Sequence, residues 1–340
     1  MMLSTTVQNI ITLLTKINLY IPFIVISVLS YSMANIIVTG IMISAWRIVT
    51  YYKCLFIYNM LLSPILKAFI TLFLLLISIF NFYDNYLATL VIVILYSIIS
   101  TYFSINTLNA KINRYVSFSL ILLGMIISGM LLNNIIILNI YFSVITIYLM
   151  FAGRLENVNK YKTLNLKKAK NVNACTVFIH NFHYYMIMIY LPIISLKLFG
   201  SIYFVGLIIF LNWILFLFKD NFYRKSNEFL SEYMIIALGF IFTGIFLFII
   251  LLVDNLVITL LVLTLQGISG GVSEKIFCLE DISKHSHEYW HIWKLGGILG
   301  APLGGILGYF TNLQFVFVIA SLLSFFVGVI NLLRKNSEGE

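Results

Sequence analysis

Long, unbroken apolar runs constrain this chain more than any other feature. They lie near residues 18–41, 55–80, 87–107, 115–132, 135–152, 174–196, 202–218, 233–252, 257–273, 295–310 and 313–333. A helix needs about 17–25 mostly apolar residues to cross a bilayer. The runs do not alternate at period two, so spanning helices are expected rather than the strands of a barrel. Only 10% of the residues are charged and 61% are hydrophobic, whereas soluble domains are about one quarter charged. The expected fold is an all-α polytopic membrane protein with about 11 transmembrane helices.

The formal charge is +9, from 21 Lys+Arg against 12 Asp+Glu. In a membrane protein such an excess marks cytoplasmic loops rather than a nucleic-acid surface. If the stretch 42–54 is a cytoplasmic loop and the sides alternate, 18 of the 21 basic residues fall inside. Lys16 and Lys197 remain outside, and Lys67 falls within a span. The alternation puts the C-terminus in the cytoplasm and makes the chain a multi-pass protein of the cell (inner) membrane. Four segments are expected: a bundle of about five spans (1–152), a basic cytoplasmic linker (153–173), a six-helix bundle (174–335) and a tail (336–340). Asn133–Asn134 and Thr311–Asn312 read as tight turns. Cys54, Cys175 and Cys278 have no metal or redox spacing. The first twenty residues lack a basic region and a small-residue cleavage site, so no cleaved leader is expected.

Two helix bundles joined by a basic loop resemble the major facilitator superfamily of secondary transporters. Two motifs carry the resemblance. The loop after 202–218 reads KDNFYRK, where Asp220, Arg224 and Lys225 match the acidic and the two final basic positions of the family's G-x-x-x-D-R-x-G-R-R loop motif. The run GGILGAPLGGILG (296–308) resembles the G-x-x-x-G-P-x-x-G-G-like helix of the family's antiporters, with Pro302 one residue nearer the paired glycines. The match covers residues 174–335 best, as the family's seventh to twelfth helices. The first half is one helix short, and TGIMISAWRIVTYYK carries no acidic motif. The resemblance implies two pseudo-repeat bundles and alternating-access transport through a cavity between them. No enzymatic activity and no cofactor are implied; the partners are the lipid bilayer and an unknown small molecule.

Gly296, Gly300, Gly304 and Gly308 recur every four residues, beside a second small row of Gly297, Ala301 and Gly305. A smooth face of this kind lets another backbone approach closely; with Pro302 it is also a candidate gating hinge. His180 and His183 share a helix face in an apolar run and are candidates for a proton or substrate pathway. Lys67 either faces a polar cavity or snorkels to an interface. Asn212 and Trp213 are candidates for substrate contact, although such an asparagine more commonly bonds a neighbouring helix.

His287, Glu288 and His291 spell the H-E-x-x-H of zinc proteases. Downstream of His291 the only acids are Glu338 and Glu340 in the tail. Trp290 and Trp293 suit interfacial anchors, so the motif reads better as a helix entry with no metal assigned. The function expected is secondary-active export of an amphiphilic small molecule by alternating access, with proton coupling as an option. The alternative is a degenerate or accessory membrane protein of the self-protection type, and a membrane metalloprotease is a remote third.

Overall fold

The computed structural model describes residues 36–52, 114–132 and 171–337 apart from 254, with isolated positions in 13–31 and 134–144. The expected spans 55–80 and 87–107, most of 135–152, linker residues 153–170, the tail beyond 337 and Lys67 lie outside the described residues.

Every regular element among the described residues is helical. They are α1 (Ile36–Tyr52), α2 (Arg114–Leu132), α3 (Asn171–Met188), α4 (Leu191–Phe199), α5 (Val205–Ile214), α6 (Lys219–Ser226), α7 (Glu232–Leu252), α8 (Leu256–Ser273), α9 (Glu280–Lys284), α10 (Ser286–Phe310) and α11 (Leu313–Ser337). Short 3-10 turns cover Ile202–Phe204, Leu215–Phe218 and Glu274–Cys278. Among the described residues four helical segments are long and apolar enough to cross a membrane: Val205–Ser226, Glu232–Leu252, Leu256–Cys278 and Leu313–Leu333. A fifth is added if the bent pair α3 and α4 is one span.

The boundaries follow local chemistry. Asn255 accepts from the backbone N–H of Val257 (3.0 Å) and Ile258 (3.2 Å), satisfying two donors at the start of α8. Asn312 does the same for Phe315 (2.8 Å), so the turn expected at Thr311–Asn312 is also the cap of α11. Ser231 caps α7 through Met234 N–H. Gly200 has φ +68° and closes α4 by donating to the Leu196 carbonyl (2.9 Å), a conformation that favours glycine.

The chain divides into two compact units. One comprises Met1–Lys160 and Ile194–Leu207, the other Tyr161–Ile193 and Ile208–Glu340. In the first, α1 covers residues 42–52 of the stretch 42–54 that the charge pattern treats as a loop. AWRIVTYY contains no glycine or proline to stop a helix, and an arginine is a good helix former. Trp46 and Arg47 are buried, with the guanidinium 4.3 Å from the Trp46 ring centroid. Gly206 packs where a Cβ would meet the Met125 carbonyl at the start of α5.

In the second unit α3 lies along α10, and α7 along α8 and α11. Its core holds Val177, Ile236, Phe240, Ile276, Leu279, Ile282, Tyr289 and Val327. Ile276, Leu279 and Ile282 come from the connection between α8 and α10. That stretch is therefore a packed element, which its scattered polar residues (EKIFCLEDISK) conceal.

α10 begins at Ser286, nine residues before the expected span, and continues through Pro302 as one helix. The break falls instead in its neighbour: α3 and α4 meet at an angle of 47°. Pro192, the second residue of α4, has no N–H to donate to the Met188 carbonyl, and it disfavours helical geometry at Leu191.

Candidate functional site

The glycine face of α10 is a seam with α3. A Cβ at Gly296 would fall on the Phe178 carbonyl, at Gly300 on the Phe182 carbonyl, at Gly304 on Met186 and at Gly308 on the Tyr190 hydroxyl. At Gly297 it would meet Tyr185 Cδ2 at 3.0 Å; Gly305 is buried and Pro302 half-buried. The opposite stripe, Leu295, Leu299, Leu303 and Ile306, is exposed. Two side chains tie the seam: Asn181 Nδ2 of α3 donates to the Trp293 carbonyl (2.8 Å), and the hydroxyl of Tyr190, in the turn after α3, to the Gly304 carbonyl (2.8 Å). Between helices in lipid, such close approach replaces the hydrophobic driving force available in water. These contacts are those of close helix packing.

A second seam is polar. His183 is 3% exposed and its Nδ1 lies 2.7 Å from the Ile179 carbonyl. A carbonyl only accepts, so Nδ1 carries the proton. His180 Nδ1 lies 3.3 Å from Ser273 Oγ, while that hydroxyl also donates to the Gly270 carbonyl (2.8 Å). One hydroxyl has one proton, so His180 Nδ1–H is the donor in this pair. The two imidazoles are 6.2 Å apart, and His180 meets the Phe240 ring edge-on at 5.6 Å. The sequence brought the two histidines to one face; Ser273, 93 positions from His180, became visible only in the fold.

Asn212 and Trp213 serve neighbouring helices. Asn212 Nδ2 donates to the Leu263 carbonyl (2.8 Å) and to Gln266 Oε1. Trp213 Nε1 donates to the Tyr184 hydroxyl (3.1 Å), and its ring stacks on Phe216 at 5.5 Å. Thr243 and Ser269 hydroxyls meet at 2.9 Å between α7 and α8. Gly267 makes the contact of α8 with α5 possible, because a Cβ there would land on the Asn212 backbone carbonyl.

The loop motif is helical. Asp220, Arg224 and Lys225 all lie on α6. Asp220 pairs with Lys275, and its neighbour Lys219 pairs with Glu274. These two ion pairs join the start of α6 to the turn after α8. Arg224 and Lys225 are exposed. Glu274, Lys275 and Lys219 carried no signal of their own in the sequence, since partners 55 positions apart form no local pattern.

His287 and His291 stand one turn apart on α10 with ring centroids 4.7 Å apart. Burial, with the charges of Lys294 and His287, holds His291 below the ordinary imidazole value. Trp290 stacks on Phe277 at 4.5 Å and meets Trp293 edge-on at 5.1 Å. Among the described residues no group of three or more His, Cys, Asp or Glu could hold a metal ion. A zinc protease needs a third protein ligand, and the described residues place none beside this pair.

No protein-family model matches the sequence, and neither does any curated protein.

Proposed function

We propose that this chain is a secondary-active transporter of the cell membrane that exports an amphiphilic small molecule by alternating access. In this reading it has about eleven spans in two major-facilitator-like bundles, with its C-terminus in the cytoplasm. The observation that carries the reading is the row of polar side chains kept inside helices otherwise apolar enough to cross a membrane. His180, His183, Asn212, Gln266 and Ser273 lie on α3, α5 and α8. Polar groups at that depth cost free energy, so they face other helices and mark pathways through transporters. Each histidine has its Nδ1 proton committed, which leaves Nε2 as the nitrogen that could take up and release a second proton.

The test is transport in vesicles containing the purified chain and a fluorescent cationic or neutral amphiphile, with and without a pH gradient. The expected result is flux that the gradient accelerates. His183→Asn should lower the gradient-driven component at least about tenfold, in the range associated with loss of a proton-transfer group. Its thermal midpoint should stay near that of the wild type. Absence of flux for every amphiphile, in protein whose thermal unfolding remains cooperative, overturns transport and supports the accessory, self-protection reading.

A further inference from the structure

We propose that His287 and His291 form a two-imidazole site for a borderline transition-metal dication, Zn2+, Ni2+ or Cu2+, at the start of α10. Residues four apart on a regular helix share a face, and α10 is continuous from Ser286 to Phe310. The rings lie 4.7 Å apart at 66°, and both residues are half-buried. Much of the rotamer freedom that binding would otherwise remove is therefore already restricted. Imidazole nitrogens suit these ions, whereas Mg2+ and Ca2+ require oxygen ligands.

The surroundings define what kind of site this is. Glu288 brings a negative charge next to His287 in sequence. Lys294, three residues after His291 on the same side of the helix, opposes a cation. Glu280 is engaged with Lys284 at 2.5 Å. The described residues supply two ligands to this site, and solvent can fill the remaining positions. An open two-point site is chelating rather than catalytic, and it is independent of the transport reading. The bound ion would tie together the first turns of α10, beside Trp290 and Trp293.

The full chain in detergent, free of affinity-tag histidines, is titrated with Ni2+ alone while tryptophan emission is followed. The expected result is saturable quenching through Trp290 and Trp293, a raised thermal midpoint and no comparable response to Mg2+. His287→Asn and His291→Asn should each weaken Ni2+ binding about tenfold or more, at least as much as loss of an outer-shell partner of a metal site. Trp213→Phe, which removes an indole remote in sequence, serves as a control and should leave the Ni2+ affinity unchanged. Absence of saturable binding to the wild type overturns the proposal. So does binding that survives replacement of both histidines in a protein whose unfolding remains cooperative, and so does a response to Mg2+ equal to that with Ni2+.

Discussion

The two seams of the second unit hold helices together by different means. Along α3 and α10, glycines bring one backbone against the carbonyls of the other, and Asn181 and Tyr190 add side-chain hydrogen bonds across the contact. Along α7, α8 and α11 the contacts are stitched by hydroxyls: Thr243 with Ser269, Ser321 to the Gly244 carbonyl (2.7 Å) and Ser324 to the Phe240 carbonyl (2.8 Å). Lipid tails are as apolar as leucine, so neither seam can rely on hydrophobic burial. The first seam depends on shape and should tolerate no added volume. The second also packs closely at Gly239, Gly244 and Gly328, but it adds several hydroxyl bonds whose share of the stabilisation should be lost gradually.

The largest expected effect is at Gly300. Gly300→Val places its side chain against the Phe182 carbonyl and should destabilise by about 1–3 kcal/mol, as overpacking does. A lowered thermal midpoint in detergent is the measurement, and an unchanged midpoint would break the contrast at once. Gly267 and Gly270 sharpen the point within a single helix. A Cβ at Gly267 falls on the Asn212 carbonyl, while at Gly270 the nearest atom is Gln266 Nε2 at 3.7 Å. Gly267→Ala should cost about 1–3 kcal/mol, and Gly270→Ala should stay within about 0.5 kcal/mol of the wild type or gain slightly from helix propensity.

An intermediate effect is expected where the ion pairs join α6 to the turn after α8. Lys219 and Glu274 side chains are 11% and 27% exposed. Glu274→Ala should cost about 1 kcal/mol, and the charge exchange Lys219→Glu with Glu274→Lys should recover part of it. If the exchange is worse than either single change, the pair acts through packing rather than charge. Tyr190→Phe removes the hydroxyl clasp on Gly304 and should cost about 1 kcal/mol. The smallest loss belongs to the hydroxyl seam: Ser324→Ala should cost about 0.6 kcal/mol. A Ser324→Ala effect equal to that of Gly300→Val would mean that the two seams do not differ in kind.

Among the described residues, part of the helix placement was legible in the sequence. The runs at 115–132, 233–252, 257–273 and 313–333 each correspond closely to a helix. Other features were hidden for identifiable reasons. The span at 174–196 is broken before Pro192, although the run stays apolar throughout, so hydropathy alone gives no sign of the bend. HEYWH, read as the entry to a helix, lies within the first turns of α10 itself, because a polar turn can be helical without adding to a hydrophobic run. The same holds for α6, where KDNFYRKS is helical though nearly every residue is polar. Of the site residues, His180 and His183 were visible as buried-looking histidines at helical spacing, while Ser273, Gln266 and Tyr184 were ordinary residues until their partners came near.

By itself the sequence determined that the chain is helical and apolar enough for a membrane. Run length and backbone hydrogen bonding are local properties: each segment must satisfy its own N–H and C=O groups. It also determined that α10 has a smooth face, because a repeat of four is local as well. Only the tertiary structure decided what that face meets, that the bend sits in α3–α4 rather than at Pro302, and that Lys219 pairs with Glu274. Those outcomes depend on which surfaces come together across long stretches of chain, and spacing along a single helix carries no information about its neighbour.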